Sequence, residues 1–146
     1  MKGFPYHYLD NSATTNVCRE AADKAAYMMT ECFGNPSSLH SLGFAAEREL
    51  SAARRAVAAL IGAEPETVTF TSGGTEANNL ALLGCAEAMS RRGRHIITTA
   101  VEHSSVSEPL TVLEKQGFTV TRLTPGQNGL VSPGQVAAVC RPDTIL

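Results

Sequence analysis

The sequence predicts an α/β domain built on a mostly parallel sheet, and three observations predict it. From Thr67 onward, short β-branched runs alternate with longer stretches of helical period, the order of strand–helix–strand units. The first of these runs passes into its helix through Thr71-Ser72-Gly73-Gly74-Thr75, a tight strand-to-helix turn. The chain is also long enough, at 146 residues and 43% hydrophobic, for one domain with a core of its own.

Tyr6 to Val17 is rich in Asn, Ser and Thr and lacks helical pattern, so an extended arm ending in a turn is expected. Val17 to Cys32 follows a helical period, with Val17, Ala21, Ala25, Met28 and Cys32 on one stripe. Gly34-Asn35-Pro36-Ser37-Ser38 breaks it as a shaped loop. From Ser41 the apolar positions Leu42, Ala46, Leu50, Ala53, Val57, Leu60 and Ile61 recur at three- and four-residue steps, a long amphipathic helix that Gly62 ends. Glu64-Pro65-Glu66 is a turn, and Thr67 to Thr71 has the composition of a strand.

Glu76 to Arg92 is expected to be helical, closed by Gly93, and His95 to Thr99 to be a second strand. Val106, Leu110 and Leu113 mark another helix that stops near Gly117, and Phe118 to Leu123 a third strand. Ser132-Pro133 has the cap-then-proline order of a helix start, giving a short helix to about Val139. Thr144 to Leu146 has the look of a strand beginning. The expected division is an N-terminal arm and helices over 1–62 and a sheet-bearing part over 63–146.

A formal net charge of −2, with no basic cluster beyond Arg91, Arg92 and Arg94, leaves no footprint for nucleic acid or an anionic membrane. Cys18, Cys32, Cys85 and Cys140 have neither C-x-x-C nor zinc spacing, so reduced thiols and no metal are expected. The N-terminus has no apolar signal segment and no run approaches a membrane span, so a cytoplasmic protein is expected.

Two features point to chemistry. A strand running into Ser-Gly-Gly-Thr and then a helix aims backbone N–H groups, hydroxyls and the positive end of the helix at one point, which suits a phosphate. Neither the nucleotide P-loop, G-x-G-x-x-G nor G-x-S-x-G is present. An ordinary turn capped by Thr75 explains the same residues, with Glu76 complementing the dipole and Asn78 and Asn79 tying the turn together. His103, just past a strand end, is placed to stack on a flat ring or move protons, or simply to cap the helix that follows. His7, His40 and His95 have weaker cases, and turn chemistry accounts for Asn11, Thr14 and Thr15 as well as ligand contact does.

Taken in order, "YLDNSATT" at 8–15, "GNPSSLHSLG" at 34–43, "VTFTSGGTEANNLAL" at 68–82 and "HIITTAVEHSSV" at 95–106 resemble the pyridoxal-phosphate-dependent cysteine desulfurases of the nitrogen-fixation and iron–sulfur-assembly branch, within the class V aminotransferases. The Ser-Gly-Gly-Thr-Glu version of the loop fits this branch better than the Arg-Gly-Thr-Thr-Glu form of the other main branch. The resemblance covers essentially the whole chain, but only the N-terminal part of the longer family enzymes. It implies a fold-type I architecture, with 1–62 contributing to the small domain and a dimer-facing region and 63–146 beginning the large cofactor-binding domain. It also implies pyridoxal 5'-phosphate as cofactor, with Gly74 and Thr75 on the phosphate and His103 on the pyridine ring.

For the complete enzyme the resemblance implies a homodimer acting on L-cysteine and passing sulfur to an acceptor or iron–sulfur scaffold protein. That chemistry needs a lysine to carry the cofactor, a carboxylate for the ring nitrogen and a mobile cysteine. Lys2, Lys24 and Lys115 are the lysines present, and none has the family's Ser-x-His-Lys setting. No cysteine matches the family's catalytic loop, so no catalytic residue is assigned. The expectation is an N-terminal fragment, inactive alone and marginally stable or prone to associate. Fragments of a selenocysteine lyase or another class V aminotransferase, or a noncatalytic phosphate-binding module, are the alternatives.

Overall fold

Two helices and a turn-rich arm make up the first part of the chain. In the computed structural model, which describes residues 7–146, the arm is held by local hydrogen bonds: Tyr8 Oη donates to the Asp10 and Thr14 carbonyls, and Thr15 Oγ1 to the Asn11 carbonyl. Lys2 and Tyr6 lie outside the described residues. Helix α1 (Arg19–Thr30) is shorter than the expected Val17–Cys32, because Cys18 is extended at its N-cap and Glu31 closes it. Cys18 and Cys32 therefore flank the helix and do not belong to it. Helix α2 (Ser41–Ile61) ends at Gly62, whose φ of 65° is the left-handed C-cap that glycine adopts without a Cβ penalty. Lys24 of α1 pairs with Glu49 of α2 at 2.5 Å.

The expected strand at Thr67–Thr71 is absent. Pro65–Thr67 forms a single 3₁₀ turn, and Val68 is extended (φ −89°, ψ 118°) without joining a ladder. β-branched composition favours the extended backbone, but a strand also needs a neighbour to pair with, and no other described segment supplies one. The chain divides into two compact units at this point, one ending at Thr69 and the other running from Phe70 to Leu146.

The second unit opens with α3 (Gly74–Met89), then β1 (His95–Thr99), α4 (Ser104–Lys115), β2 (Thr119–Leu123) and α5 (Pro133–Val139). β1 and β2 pair in parallel, with His95 opposite Thr119 and Thr99 opposite Leu123. On the other edge of β1, the His95 N–H donates to the Asp143 carbonyl, Ile145 N–H to the His95 carbonyl and Ile97 N–H to the Leu146 carbonyl. β1 is thus central, flanked on both sides by parallel neighbours. This matches its run of residues fit for burial on both faces.

Ile96 projects to the helix side, where Ala86 of α3, Leu110 and Leu113 of α4, Phe118 and Ile145 close the core, and Leu82, Met89, Val106 and Val120 pack around it. His95 projects to the opposite face and is fully buried, its two ring nitrogens 2.7 Å from Thr144 Oγ1 and 2.8 Å from Thr121 Oγ1. Arg122 of β2 and Glu114 of α4 form a two-pronged ion pair at 2.6 and 2.9 Å. Among the described residues no helix is long and apolar enough to cross a membrane.

Candidate functional site

The N-terminus of α3 is left open. Its N-cap is Gly73, with no side-chain cap, and the first intrahelical bond runs from the Ala77 N–H to the Gly73 carbonyl. The amides of Gly74, Thr75 and Glu76 are therefore the free donors of the first turn, carrying the positive end of the helix dipole. Thr75 is not the cap that one reading of the sequence made it. It sits inside the first turn, where its carbonyl receives the Asn79 side-chain amide at 2.9 Å. A Cβ added at Gly73 or Gly74 would meet nothing within 4 Å, so the protein's own packing does not require either glycine. The room they leave is available to a ligand approaching the backbone.

Glu76 points back toward the turn. Its Oε2 accepts the Ser72 hydroxyl at 2.7 Å and the Ser72 N–H at 2.6 Å. These two bonds, the hydroxyl's first, hold the exposed carboxyl below its ordinary range. The loop is thus shaped by its own acid, and Gly74 and Thr75 beside it are exposed. Uncapped amides, a hydroxyl and two uncrowded glycines are a donor set that fits a phosphate.

His103 is the N-cap of α4, and its side chain is exposed. Nδ1 accepts the Ser105 N–H at 3.1 Å and lies 2.8 Å from Ser105 Oγ. Ser105 is buried, and its Oγ also receives the Asn78 side-chain amide at 2.8 Å. The phosphate-type loop and the histidine are therefore wired together: α3 supplies both the open N-terminus and, one turn later, the amide that reaches the cap of α4. The sequence reasoning kept Asn78 within its own turn and did not single out Ser105. A signal was available, since Asn78 shares a helical stripe with Leu82, Ala86 and Met89, and a polar residue on a core-facing stripe needs a partner.

Two other histidines have local structural roles. His40 caps α2, its Nδ1 accepting the Gly43 N–H at 3.4 Å, and His95 is locked within the sheet. Among the described residues no group of three or more His, Cys, Asp or Glu side chains is arranged to hold a metal ion. All four cysteines are free thiols; Cys85 lies within α3 and Cys140 is the C-cap of α5.

Comparison with known proteins follows the same outline. Residues 7–146 match the model of the aminotransferase class-V family. The chain is 47% identical over 146 residues to a cysteine desulfurase IscS of Azotobacter vinelandii, an alignment covering 95% of this chain and 35% of that one. Among solved structures it is similar to a NifS-like protein, with a TM-score of 0.86 at 34% identity over 92% of this chain and 37% of the other. It is also similar to SspA in complex with cysteine, with a TM-score of 0.84 at 36% identity over 91% of this chain and 38% of the other. The chain spans about 35% of the length of the curated relatives it matches. It belongs to the aminotransferase class-V family, among the cysteine desulfurase homologues.

Proposed function

We propose that this chain is the N-terminal part of a cysteine desulfurase, and that its own contribution is a phosphate cup and a ring platform for pyridoxal 5'-phosphate. The observation that carries this is the uncapped first turn of α3 at Gly73–Thr75, joined through Asn78 and Ser105 to the exposed ring of His103. Class V aminotransferases are pyridoxal-phosphate enzymes, and SspA, at 36% identity, carries cysteine in its structure. In the complete protein the reaction would convert L-cysteine to L-alanine and pass the sulfur to an acceptor for iron–sulfur assembly. A cytoplasmic homodimer is proposed for it, with residues 1–62 in its small domain and dimer-facing region.

When bound, the cofactor supplies an electron-accepting ring. The Gly74 and Thr75 amides and the Thr75 hydroxyl would hold its phosphate by charge-assisted hydrogen bonds. His103 would offer a flat face to the ring from the N-cap of α4, just past the carboxyl end of β1.

Of the described lysines, Lys24 is held protonated by the Glu49 carboxylate, which raises its pKa, so it is a poor nucleophile. Lys115 sits in the last turn of α4, where its charge complements the helix end. Neither is an attachment lysine, and the proposal is that the chain alone is inactive.

Nuclear magnetic resonance titration tests the cup. Pyridoxal phosphate is expected to shift the Gly74, Thr75 and Glu76 amides and the His103 ring, and pyridoxal without its phosphate to leave those amides unmoved. Thr75→Val should weaken binding by roughly tenfold, the effect of one lost hydrogen bond to a charged group. Equal shifts with both ligands, or shifts confined elsewhere, would overturn the reading. Borohydride reduction in the presence of pyridoxal phosphate should give no stoichiometric adduct on any single lysine.

A further inference from the structure

The histidine at the mouth of α4 has two chemically different ends, and the surrounding bonds decide which end carries the hydrogen. Nδ1 accepts the Ser105 backbone N–H, so it is the bare nitrogen of the ring. Ser105 Oγ, 2.8 Å from the same Nδ1, must then turn its own hydrogen toward it, since two acceptors cannot bond each other. The Asn78 Nδ2–H fills one of the two lone pairs of that oxygen at 2.8 Å, and a donor on that side turns the hydroxyl hydrogen away from Asn78 and toward Nδ1. The neutral ring consequently carries its hydrogen on Nε2.

We infer that Asn78, acting through Ser105, is a positioning residue that fixes the Nε2–H tautomer and the orientation of His103. The amide of Asn78 is the only member of the relay that arrives from α3, the helix whose first turn forms the phosphate cup. One segment of five residues, Gly74 to Asn78, therefore positions both the anion site and, across the gap to α4, the histidine ring. The consequence for chemistry is specific. With Nδ1 fully engaged as an acceptor, His103 presents a flat face and an Nε2–H donor, and it takes a proton at Nδ1 only by giving up its cap on α4. A stacking and donating role follows, in preference to that of a general base.

Use of this geometry toward pyridoxal phosphate rests on the function proposed above, but the tautomer is measurable without ligand. Side-chain nitrogen resonances of the 146-residue chain, taken where the ring is neutral, are expected to show His103 Nε2 as the hydrogen-bearing nitrogen and Nδ1 as the bare one. Asn78→Asp replaces the donor by an acceptor that draws the Ser105 hydroxyl hydrogen to itself. The hydroxyl oxygen then faces Nδ1, and the tautomer ratio should move toward Nδ1–H by roughly tenfold, as one hydrogen bond changes sides.

A His103 ring with its hydrogen on Nδ1 in the unmutated chain would overturn the assignment. So would an Asn78→Asp chain with a native-like amide spectrum and unchanged His103 nitrogens. Should that variant not fold, the unmutated chain decides. One Asn78 side-chain amide hydrogen should exchange slowly with water and lie close to the Ser105 side chain, and fast exchange without that proximity would refute the relay. If the tautomer is as assigned and pyridoxal phosphate leaves His103 unperturbed, the cofactor reading fails while the role of Asn78 stands.

Discussion

Gly93 shows how much a single position can decide. It follows the end of α3 and precedes β1, and a Cβ there would run into the backbone carbonyl of Asp143, the same carbonyl that accepts the His95 N–H. The close approach is what allows the segment around Thr144 to line up beside β1. Because the obstacle is backbone and not the end of a flexible side chain, Gly93→Ala forces the two segments apart. The expected loss is roughly 1–3 kcal/mol, the range for an overpacked interior. Urea unfolding should show it as a lower midpoint with an unchanged slope, and amide exchange at Ile97 and Ile145, whose bonds cross that edge, should accelerate most. A variant as stable as the original would mean that Asp143 can move away freely. By contrast Gly74 meets nothing, so Gly74→Ala should leave stability close to the original and act on ligand approach alone.

At the scale of elements, α5 depends on its start more than any other helix. It has only seven residues and buries none, so its first turn is held by a capping box: Ser132 Oγ accepts the Gln135 N–H at 3.2 Å and Gln135 Oε1 accepts the Ser132 N–H at 2.8 Å. Ser132→Ala is expected to cost about 1 kcal/mol, concentrated in α5, and to be visible as loss of amide protection in Val136 to Cys140. This start was legible because Ser-Pro encodes both the cap and the first helical residue locally. The same is true of Gly62 at the end of α2, and β1 was legible at both ends. The Thr67–Thr71 segment was not, because a strand is defined by its partner, and composition records only the willingness to be extended. The site divides in the same way. Ser72–Thr75 and His103 are sequence-local features, whereas the bond from Asn78 to Ser105 spans 27 positions and exists only once α3 packs on α4.

Across the whole molecule the two units are built differently. α1 buries no residue, and the first unit leaves Met29, Phe33, Leu39, Leu60 and Ile61 more than half exposed. The second unit has the continuous core, and its sheet is pinned on the face away from α3 and α4 by His95, which bonds Thr121 beyond one edge of β1 and Thr144 beyond the other. Burial pushes the pKa of this imidazole below the ordinary 6.5, and the nearby Arg141 adds to the effect while Asp143 opposes it. In the unfolded chain the ring returns to the ordinary value. Below about pH 6.5 the unfolded chain therefore binds a proton that folded His95 declines, and stability falls as pH drops from there toward the folded pKa. Above that range this group contributes no slope. Glu76 and Glu114, both held below their ordinary 4.5 by hydrogen bonds, weaken the fold only at more acidic pH, so the two effects separate. Urea midpoints measured between about pH 7.5 and 5 should decline on the acid side for the original chain. His95→Gln, which keeps a polar side chain between the two threonines and cannot titrate, should be less stable at neutral pH yet lose most of that decline. An equal acid-side decline in both chains would place the titrating group elsewhere and leave His95 as a purely geometric clamp.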